Sequence, residues 1–254
     1  MLIELLTSPL FIAFLFFVIA FIYSSVGLGG GSSYTAIMAL LGFSTTVIPT
    51  VSLVLNVLVT TVGSYNFIRY KHARFKLIIP FLISSMPMAY FGGTLILPKL
   101  LFFWLLLISL IFVAIRIYLW HDTGLNVTFT NKQKFILSLL AGAILGFVAG
   151  VVGIGGGIYL VPLIIILGLG SQKEAAACGA IFVWLNSVAG LTARIQYNTI
   201  NLNDYVPLII AVIVGGSLGS FIGASRFSAK AVEKTLGAIV IVAIIFLSKR
   251  LLVV

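Results

Sequence analysis

Charged residues are scarce in this sequence, and acidic residues are the scarcest of them. Charged residues make up 8% of the 254 positions and hydrophobic residues 61%, whereas soluble domains carry about 25% charged residues. The five acids all fall in predicted loops or at the ends of apolar segments: Glu4, Asp122, Glu174, Asp204 and Glu233. No carboxylate therefore stands where a midplane proton or sodium relay, or a cationic substrate, would need one. The composition indicates an all-α integral membrane protein with one membrane domain.

Cysteine and histidine are nearly absent, which narrows the function classes. Cys178 is the single cysteine, so the sequence offers neither an internal disulfide nor a multi-cysteine metal site. Cys178 could contact a sulfur compound, although a lone buried cysteine usually serves as a small hydrophobic residue. His72 and His121 fall in predicted loops without a nucleophile or a metal partner. We therefore expect no enzymatic activity, no metal and no cofactor.

The net charge of +10 is explained by the lipid bilayer as a partner rather than by nucleic acid. Lysine and arginine collect in loops that face the cytoplasm and its anionic leaflet. No basic stripe interleaved with aromatic residues lies outside the apolar segments, so no nucleic-acid binding is expected.

Apolar segments fill nearly the whole chain. They are predicted at 9–26, 47–68, 77–97, 100–119, 135–152, 175–193, 205–223 and 235–247. Two shorter segments, 33–43 and 158–169, follow glycine runs, and each covers about half of a ~30 Å hydrocarbon core. The polar stretch 120–134 separates a first repeat, 9–119, from a second repeat, 135–250.

Two matched glycine runs interrupt these segments. Gly27-Leu-Gly-Gly-Gly31 and Gly153-Ile-Gly-Gly-Gly157 lie 126 residues apart, as do Gly42 and Gly168. A broken segment at the same place in both halves is a sequence sign of a secondary transporter and of its binding site. A helix that begins after such a run directs unpaired N–H groups and the positive end of its dipole into the break. The runs therefore predict a pocket for a small anionic substrate, with close helix packing as the alternative.

Ten positions are the candidates for substrate binding. They are the glycines of both runs, one adjoining serine, two equivalent asparagines and one arginine: Gly29, Gly30, Gly31, Ser32, Asn56, Gly155, Gly156, Gly157, Asn186 and Arg194. The asparagines could donate to an anion, hold a glycine loop in shape or bond a neighbouring helix. Arg194 could attract an anion to the entrance or anchor a helix end at the membrane surface. Further hydroxyls flank only the first run, at Ser24, Ser25, Ser33 and Thr35.

The basic loops bear on how the two halves are oriented. In the first copy the basic loop follows the third segment (Arg69, Lys71, Arg74 and Lys76), but in the second copy it comes one position later (Arg226, Lys230 and Lys234). Inverted repeats, each a re-entrant hairpin plus three spanning helices, place 11 Lys and Arg inside and 4 outside. Parallel halves with four spans each place 10 inside and 5 outside. Inversion is favoured, and the parallel arrangement stays open.

These features resemble the TauE/SafE family of membrane proteins, often described as sulfite or organosulfonate exporters. The second run, Gly153-Ile-Gly-Gly-Gly-Ile-Tyr-Leu-Val-Pro162, is similar to the family's glycine-rich run and its following proline, where the first copy has Ala36. The likeness covers nearly the whole chain. It implies a multi-pass transporter of the bacterial inner membrane that moves sulfite, a sulfonate or a similar anion by alternating access. A passive anion channel and a membrane scaffold are the alternatives, and the sequence leaves open the direction, the coupling ion (proton or sodium) and homo-oligomerisation.

Overall fold

The structure is a computed structural model that describes residues 8–119, 130–197 and 200–225, with positions 241, 244, 245, 247–249 and 251 near the C-terminus. All regular secondary structure in these residues is helical. The helices with defined ends are α1 (Pro9–Ser25), α2 (Gly31–Leu40), α3 (Val47–Arg69), α4 (Phe75–Thr94), α5 (Lys99–Leu119), α6 (Asn131–Val152), α7 (Gly157–Ile166), α8 (Gln172–Ile195), a 3-10 helix (Leu202–Tyr205) and α9 (Val206–Ser225). The expectation of an all-α protein is therefore confirmed.

Two helices of the second copy begin earlier than the apolar segments predicted. The helix α6 starts at Asn131 instead of 135, because Thr130 and Gln133 form a capping box around its first turn. Ser171 and Glu174 form the same box at the start of α8, which begins at Gln172 instead of 175. A cap pairs the first free amides, so the helix extends through polar residues that hydropathy alone assigns to a loop.

Parts of the predicted organisation fall outside the described residues. They are residues 120–129 of the linker, the basic turn with Arg226, Lys230 and Lys234, and most of the last segment, 235–247.

Five helical segments of the described residues are long and apolar enough to cross a membrane: Val47–Arg69, Phe75–Thr94, Asn131–Val152, Gln172–Ile195 and Leu202–Ser225. The helices α2 and α7 have 10 residues each, which corresponds to about 15 Å, half of a ~30 Å core. The two short helices that follow the glycine runs therefore cannot cross the membrane alone, as their sequence predicted.

Each helix contact between the two copies has an equivalent in which the copies exchange places. The helix α4 packs along α6, and its equivalent α9 packs along α1. The equivalent long helices α3 and α8 pack against each other, and each also packs on the fourth helix of the other copy, α3 on α9 and α8 on α4. The two copies are thus interleaved rather than separate bundles.

Glycines at one-turn spacing bring the paired helices into backbone contact. On α6 they are Gly142, Gly146 and Gly150, which lie against the backbone of residues 81, 85 and 89 on α4. On α9 they are Gly215, Gly219 and Gly223, which lie against residues 17, 21 and 25 on α1. A β-carbon at any of these glycines would overlap a carbonyl oxygen of the partner helix. The residue numbers rise together in both pairs, so α6 runs parallel to α4 and α9 runs parallel to α1.

The central contacts fix the remaining directions. Gly63 of α3 faces Ala180 of α8, while Gly190 of α8 faces Leu53 of α3, so these two helices are antiparallel. Asn66 of α3 donates a hydrogen bond of 2.8 Å to Ser220 of α9, and residue 59 faces residue 216, so α3 and α9 are parallel. At one end of α4 residue 74 pairs with residue 174 of α8, and at the other end residue 93 faces residue 190. Hence α1, α3 and α9 run one way, and α4, α6 and α8 run the other way.

Candidate anion-binding site

Each glycine run ends in a left-handed glycine that immediately precedes a short helix. Gly30, with φ +94°, is the N-cap of α2, and Gly156, with φ +81°, is the N-cap of α7. An L-residue with a β-carbon is strained in this backbone region, whereas glycine adopts it freely. No side chain caps either helix. The first turns of α2 and α7 are therefore open to another hydrogen-bond partner.

The first amides of both short helices lack a protein acceptor among the residues that the structure describes. They belong to Gly31, Ser32, Gly157 and Ile158. The following amides close the first turn, because residues 33 and 34 donate to the Gly30 carbonyl and residues 159 and 160 donate to the Gly156 carbonyl. Both helices thus present unpaired N–H groups at their positive ends.

The two glycine runs meet on one face of α3. The Ser52 hydroxyl donates to the Gly153 carbonyl at 2.7 Å and lies 3.4 Å from the Gly31 carbonyl oxygen. One turn later, Asn56 Nδ2 donates to the Ile154 carbonyl at 3.2 Å. A β-carbon on Gly31 would lie 2.6 Å from that same Ile154 oxygen. Runs that are 126 residues apart in the sequence are therefore in contact inside the protein.

Where the runs meet, backbone carbonyls are hydrogen-bonded but some backbone amides are not. The carbonyls of Gly31, Gly153 and Ile154 accept side-chain hydrogen bonds, whereas the first-turn amides described above remain unpaired. Residues 27–36 and 151–160 are buried, so little water is available to these amides. A group that only accepts hydrogen bonds and carries negative charge would satisfy them, and a small oxyanion has both properties.

Comparison with known proteins supports the family resemblance. A family model described as "Sulfite exporter TauE/SafE" matches residues 12–248. The chain belongs to this family. It is 33% identical over 240 residues to the probable membrane transporter protein y4hK of Sinorhizobium fredii, which covers 93% of this chain and 96% of the relative. It is 27% identical over 215 residues to the probable membrane transporter protein MJ0441 of Methanocaldococcus jannaschii, 78% of each chain. No solved structure matches the chain.

Membership of the TauE/SafE family and the names of the relatives indicate a membrane transporter rather than an enzyme. Together with the five candidate spans, they make this chain a multi-pass membrane protein.

The two asparagines of this TauE/SafE protein have different contacts despite their equivalent positions. Asn56 bonds the glycine run of the other copy, as described above. Asn186 Nδ2 instead donates to the Phe182 carbonyl of its own helix at 2.9 Å. Other residues of α8 reach the runs: the methyl groups of Val183 face Gly155 and Gly157, the Phe182 ring faces Gly156 and the Ser187 hydroxyl faces Gly155. The hydrogen bond of Asn56 to the other run fits the loop-holding role, and that of Asn186 is local to α8. Substrate binding by either asparagine stays a prediction.

Ser32 belongs to a buried hydroxyl cluster that exists in the first copy only. The Tyr23 hydroxyl lies 3.0 Å from Ser32 Oγ and 2.7 Å from Ser33 Oγ. At the equivalent positions of the second copy, 126 residues later, stand Ala149, Ile158 and Tyr159. The two helix N-termini therefore share backbone geometry but differ in the side chains around them.

Arg194 is a correction to the sequence-based expectation. Both expected roles, attraction of an anion at the entrance and anchoring at the membrane surface, require an exposed guanidinium, yet Arg194 is only 4% exposed. Its Nη2 donates to the carbonyls of Gly150 at 3.0 Å and Val151 at 2.8 Å. The last carbonyls of α6 have no intrahelical partner and carry partial negative charge, which draws the guanidinium inward.

Cys178 does not reach the glycine runs. Its Sγ lies 4.0 Å from the Arg74 carbonyl oxygen, and it packs in a cluster with Ile78, Phe81 and Leu160. Among the described residues no group of three or more His, Cys, Asp or Glu side chains comes together.

Sequence reasoning missed Ser52 and Tyr23. Ser52 lies four residues before Asn56, so the two side chains occupy one face of a helix, and this spacing could have identified it. Tyr23 meets Ser32 and Ser33 across the break after α1, a contact that depends on the path of the glycine run. No local pattern in the sequence indicates it.

Proposed function

We propose that the protein is a secondary transporter that moves a small sulfur-containing anion, such as sulfite or a sulfonate, across the bacterial inner membrane by alternating access. The observation that carries the proposal is the meeting of the two glycine runs. There the carbonyls of Gly153 and Ile154 are paired, whereas the first amides of α2 and α7 have no acceptor within the described chain. A bound oxyanion would supply the missing acceptors and balance two helix dipoles. The family description, a sulfite exporter, supplies the chemical class of the anion.

We infer further that the two halves are inverted repeats. The helices α1, α3 and α9 run one way and α4, α6 and α8 the other. In these three pairs of equivalent helices, α1 with α6, α3 with α8 and α4 with α9, the two members therefore run in opposite directions. Because α1 and α3 run in the same direction, α2 must return towards the side from which α1 entered. This favours a re-entrant hairpin with a glycine run at its tip in each copy.

The basic residues orient this arrangement in the membrane. The ends of α3 and the starts of α4, α6 and α8 lie at one end of the bundle, which carries Arg69, Lys71, Arg74, Lys76, Lys132, Lys134 and Lys173. The opposite end carries Lys99 and Arg194. Positively charged loops favour the cytoplasmic side, so we assign the first end to the cytoplasm.

Burial at the meeting point favours alternating access over a passive channel. A β-carbon on Gly157 would contact both Val183 and Leu28, which shows how closely the two runs are packed. An anion would reach such a buried site only if one hairpin and its paired helices moved relative to the other. Movement of one repeat against the other around a fixed central site is the behaviour of inverted-repeat transporters.

Flux into proteoliposomes tests the proposal and its alternatives. Radiolabelled sulfite, thiosulfate and a taurine-like sulfonate are offered with and without an imposed proton or sodium gradient. A transporter gives saturable flux that follows one of the gradients. Non-saturating flux that ignores both gradients would identify a passive channel, and the absence of flux for every anion would leave a scaffold.

Cysteine labelling tests the inverted arrangement separately. Ser44 precedes α3 and Gln172 begins α8, and both are exposed. In a Cys178→Ser background, Ser44→Cys and Gln172→Cys are each treated with a membrane-impermeant maleimide on intact cells. Inverted halves place these two positions on opposite sides, so one variant reacts and the other does not. Equal labelling of both would support parallel halves.

A further inference from the structure

The hydroxyl of Tyr34 lies inside the protein without a hydrogen-bond partner. Tyr34 is 0% exposed, and its hydroxyl oxygen meets no donor or acceptor in the part of the chain that the structure describes. The other hydroxyl side chains of α2 are paired: Ser32 and Ser33 lie within hydrogen-bonding distance of the Tyr23 hydroxyl, and Thr35 donates to the Gly31 carbonyl. A buried polar group normally has a partner, so the Tyr34 hydroxyl leaves a place for one.

This hydroxyl lies beside the N-cap of α2. Tyr34 is the fourth residue of the helix, and the side chains of a helix lean towards its N-terminus, so the ring extends back over the first turn. A β-carbon on Gly30 would lie 2.8 Å from the hydroxyl oxygen. The amides of Gly31 and Ser32, which have no acceptor among the described residues, belong to the same turn. An unpaired hydroxyl therefore accompanies the unpaired backbone donors at the positive end of α2.

The helix α1 holds the Tyr34 ring in this position. The ring stacks on that of Phe16, with 5.0 Å between the ring centroids and 8° between the ring planes, and Phe16 is also fully buried. The hydroxyl oxygen lies on the axis about which a tyrosine ring flips, so a flip does not move it. The Tyr34 hydroxyl thus keeps its place beside Gly30 as long as α1 and α2 stay packed together.

The second copy has an apolar ring at the equivalent place. A β-carbon on Gly156, the N-cap of α7, would lie 2.8 Å from Cε1 of Phe182. Leu160 stands 126 residues after Tyr34, at its equivalent position in the repeat. Phenylalanine and leucine side chains offer no O–H or N–H donor. The first copy therefore adds a side-chain donor to a backbone geometry that both copies share.

We propose that Tyr34 is a substrate-binding residue whose hydroxyl donates a hydrogen bond to the anion at the N-terminus of α2. The inference rests on the proposed function, because an anion reaches this buried group only when the two glycine runs move apart. A neutral hydroxyl suits such a site, since it supplies a donor without the desolvation penalty of a buried cation. A hydrogen bond to a charged group is stronger than one between neutral groups, so the loss of this hydroxyl has a measurable effect on anion binding.

Equilibrium binding of radiolabelled sulfite to the purified full-length protein in neutral detergent tests this role. Tyr34→Phe removes the hydroxyl and keeps the ring that stacks on Phe16. We expect the variant to bind sulfite about 10- to 100-fold more weakly, the effect of losing one hydrogen bond to a charged group. The midpoint of unfolding without sulfite should stay the same or rise, because a buried hydroxyl without a partner is unfavourable in the free protein. A merely structural hydroxyl does not give this combination.

Ser85→Ala is the matched control. The Ser85 hydroxyl is also fully buried and without a partner among the described residues, but Ser85 lies where α4 packs against Gly146 of α6. Its removal should likewise leave the midpoint of unfolding unchanged or higher, and it should leave sulfite binding unchanged. Tyr65→Phe makes the same substitution at a tyrosine that is 62% exposed and should change neither quantity.

The outcomes separate this inference from the proposed function. Weaker binding in Tyr34→Phe but not in the two controls, with the midpoint of unfolding kept, supports the role of the hydroxyl. Wild-type affinity in Tyr34→Phe overturns that role, and sulfite transport by the unmodified protein then leaves the proposed function standing. A lower midpoint of unfolding in Tyr34→Phe identifies a structural hydroxyl and overturns the role as well, as does equal weakening of sulfite binding in Ser85→Ala. If the unmodified protein neither binds nor transports sulfite, thiosulfate or the sulfonate, both proposals fail.

Discussion

Two of the three equivalent pairs of left-handed glycines allow the role of the N-caps to be tested separately from backbone strain. Gly30 and Gly156 are the N-caps of α2 and α7, whereas Gly42 and Gly168 follow the ends of these helices. All four have positive φ, +94°, +81°, +85° and +61° in that order. Replacement by alanine therefore introduces a similar backbone penalty at each, about 1–2 kcal/mol. Differences among the four alanine variants report what surrounds each position.

The surroundings differ sharply between the two pairs. A β-carbon on Gly30 would lie 2.7 Å from Cζ of Tyr34, whose ring is fully buried and stacked 5.0 Å from the Phe16 ring. A β-carbon on Gly156 would lie 2.8 Å from Cε1 of the buried Phe182. A β-carbon on Gly42 or Gly168 would have no atom of the other described residues within 4 Å, apart from its own chain neighbours. Overpacking adds about 1–3 kcal/mol at the two N-caps only.

The expected loss of transport follows from the displaced amides. A shift of the first turn would remove one or two amide hydrogen bonds to the anion, each contributing about 1.5–3 kcal/mol. Such a loss lowers the affinity or the transport rate by about tenfold or more. Sulfite flux in proteoliposomes, normalised to the monodisperse protein recovered by gel filtration, is compared for the four alanine variants. We expect Gly30→Ala and Gly156→Ala to lose at least about tenfold relative to Gly42→Ala and Gly168→Ala. Equal flux in all four variants would refute the assignment of the N-caps to the substrate site.

Three further substitutions, each with a control, test hydrogen bonds and packing in the protein. Asn56→Ala leaves the buried Ile154 carbonyl without its side-chain donor, so the free energy of unfolding in detergent should fall by about 1–3 kcal/mol. Asn186→Ala should lower it clearly less, because the lost bond is to a carbonyl of its own helix. Ser52→Ala removes a 2.7 Å hydrogen bond to Gly153. Sulfite flux should therefore fall more than in Ser217→Ala, whose hydroxyl donates to the Ile213 carbonyl of its own helix. Gly146→Ala should lower the midpoint of unfolding, because its β-carbon would meet the Ser85 carbonyl. A β-carbon on Gly63 would have its nearest neighbours at 3.9 Å and 4.0 Å, so Gly63→Ala should leave the free energy of unfolding unchanged or raise it by up to about 1 kcal/mol.

The sequence predicts the helices well because the thickness of the membrane limits the length of each apolar run. The third segment, predicted at 47–68, is the helix Val47–Arg69, and the first, predicted at 9–26, is Pro9–Ser25. The early starts of α6 and α8 come from capping boxes that were legible in the sequence, Thr130 with Gln133 and Ser171 with Glu174. Hydropathy ignored these residues because it scores polarity and not local hydrogen bonding.

The candidate site is predictable only in its backbone part. The glycine runs can be found from the sequence, because a break in an apolar segment and a short helix after it are visible in consecutive residues. Arg194 could not be placed in this way, because its partners are carbonyls on another helix, 43 and 44 residues earlier in the chain. The contact of Asn56 with residue 154 likewise spans 98 residues. Whether a polar side chain faces lipid, water or a helix end depends on packing that no local pattern encodes.

The divergence of the two copies shows which property of the runs the fold requires. Gly30 and Gly156 keep the same left-handed conformation, and both precede helices of 10 residues, while the side chains around them have changed from Ser32 and Ser33 to Ile158 and Tyr159. Side chains can diverge in this way because the unpaired donors belong to the backbone, whose positions are set by φ and by the start of a helix. A site made from backbone amides therefore tolerates changes in its side chains but not in its glycines. Relatives that transport different anions should then differ around Tyr23 and Ser32 and retain both left-handed N-caps.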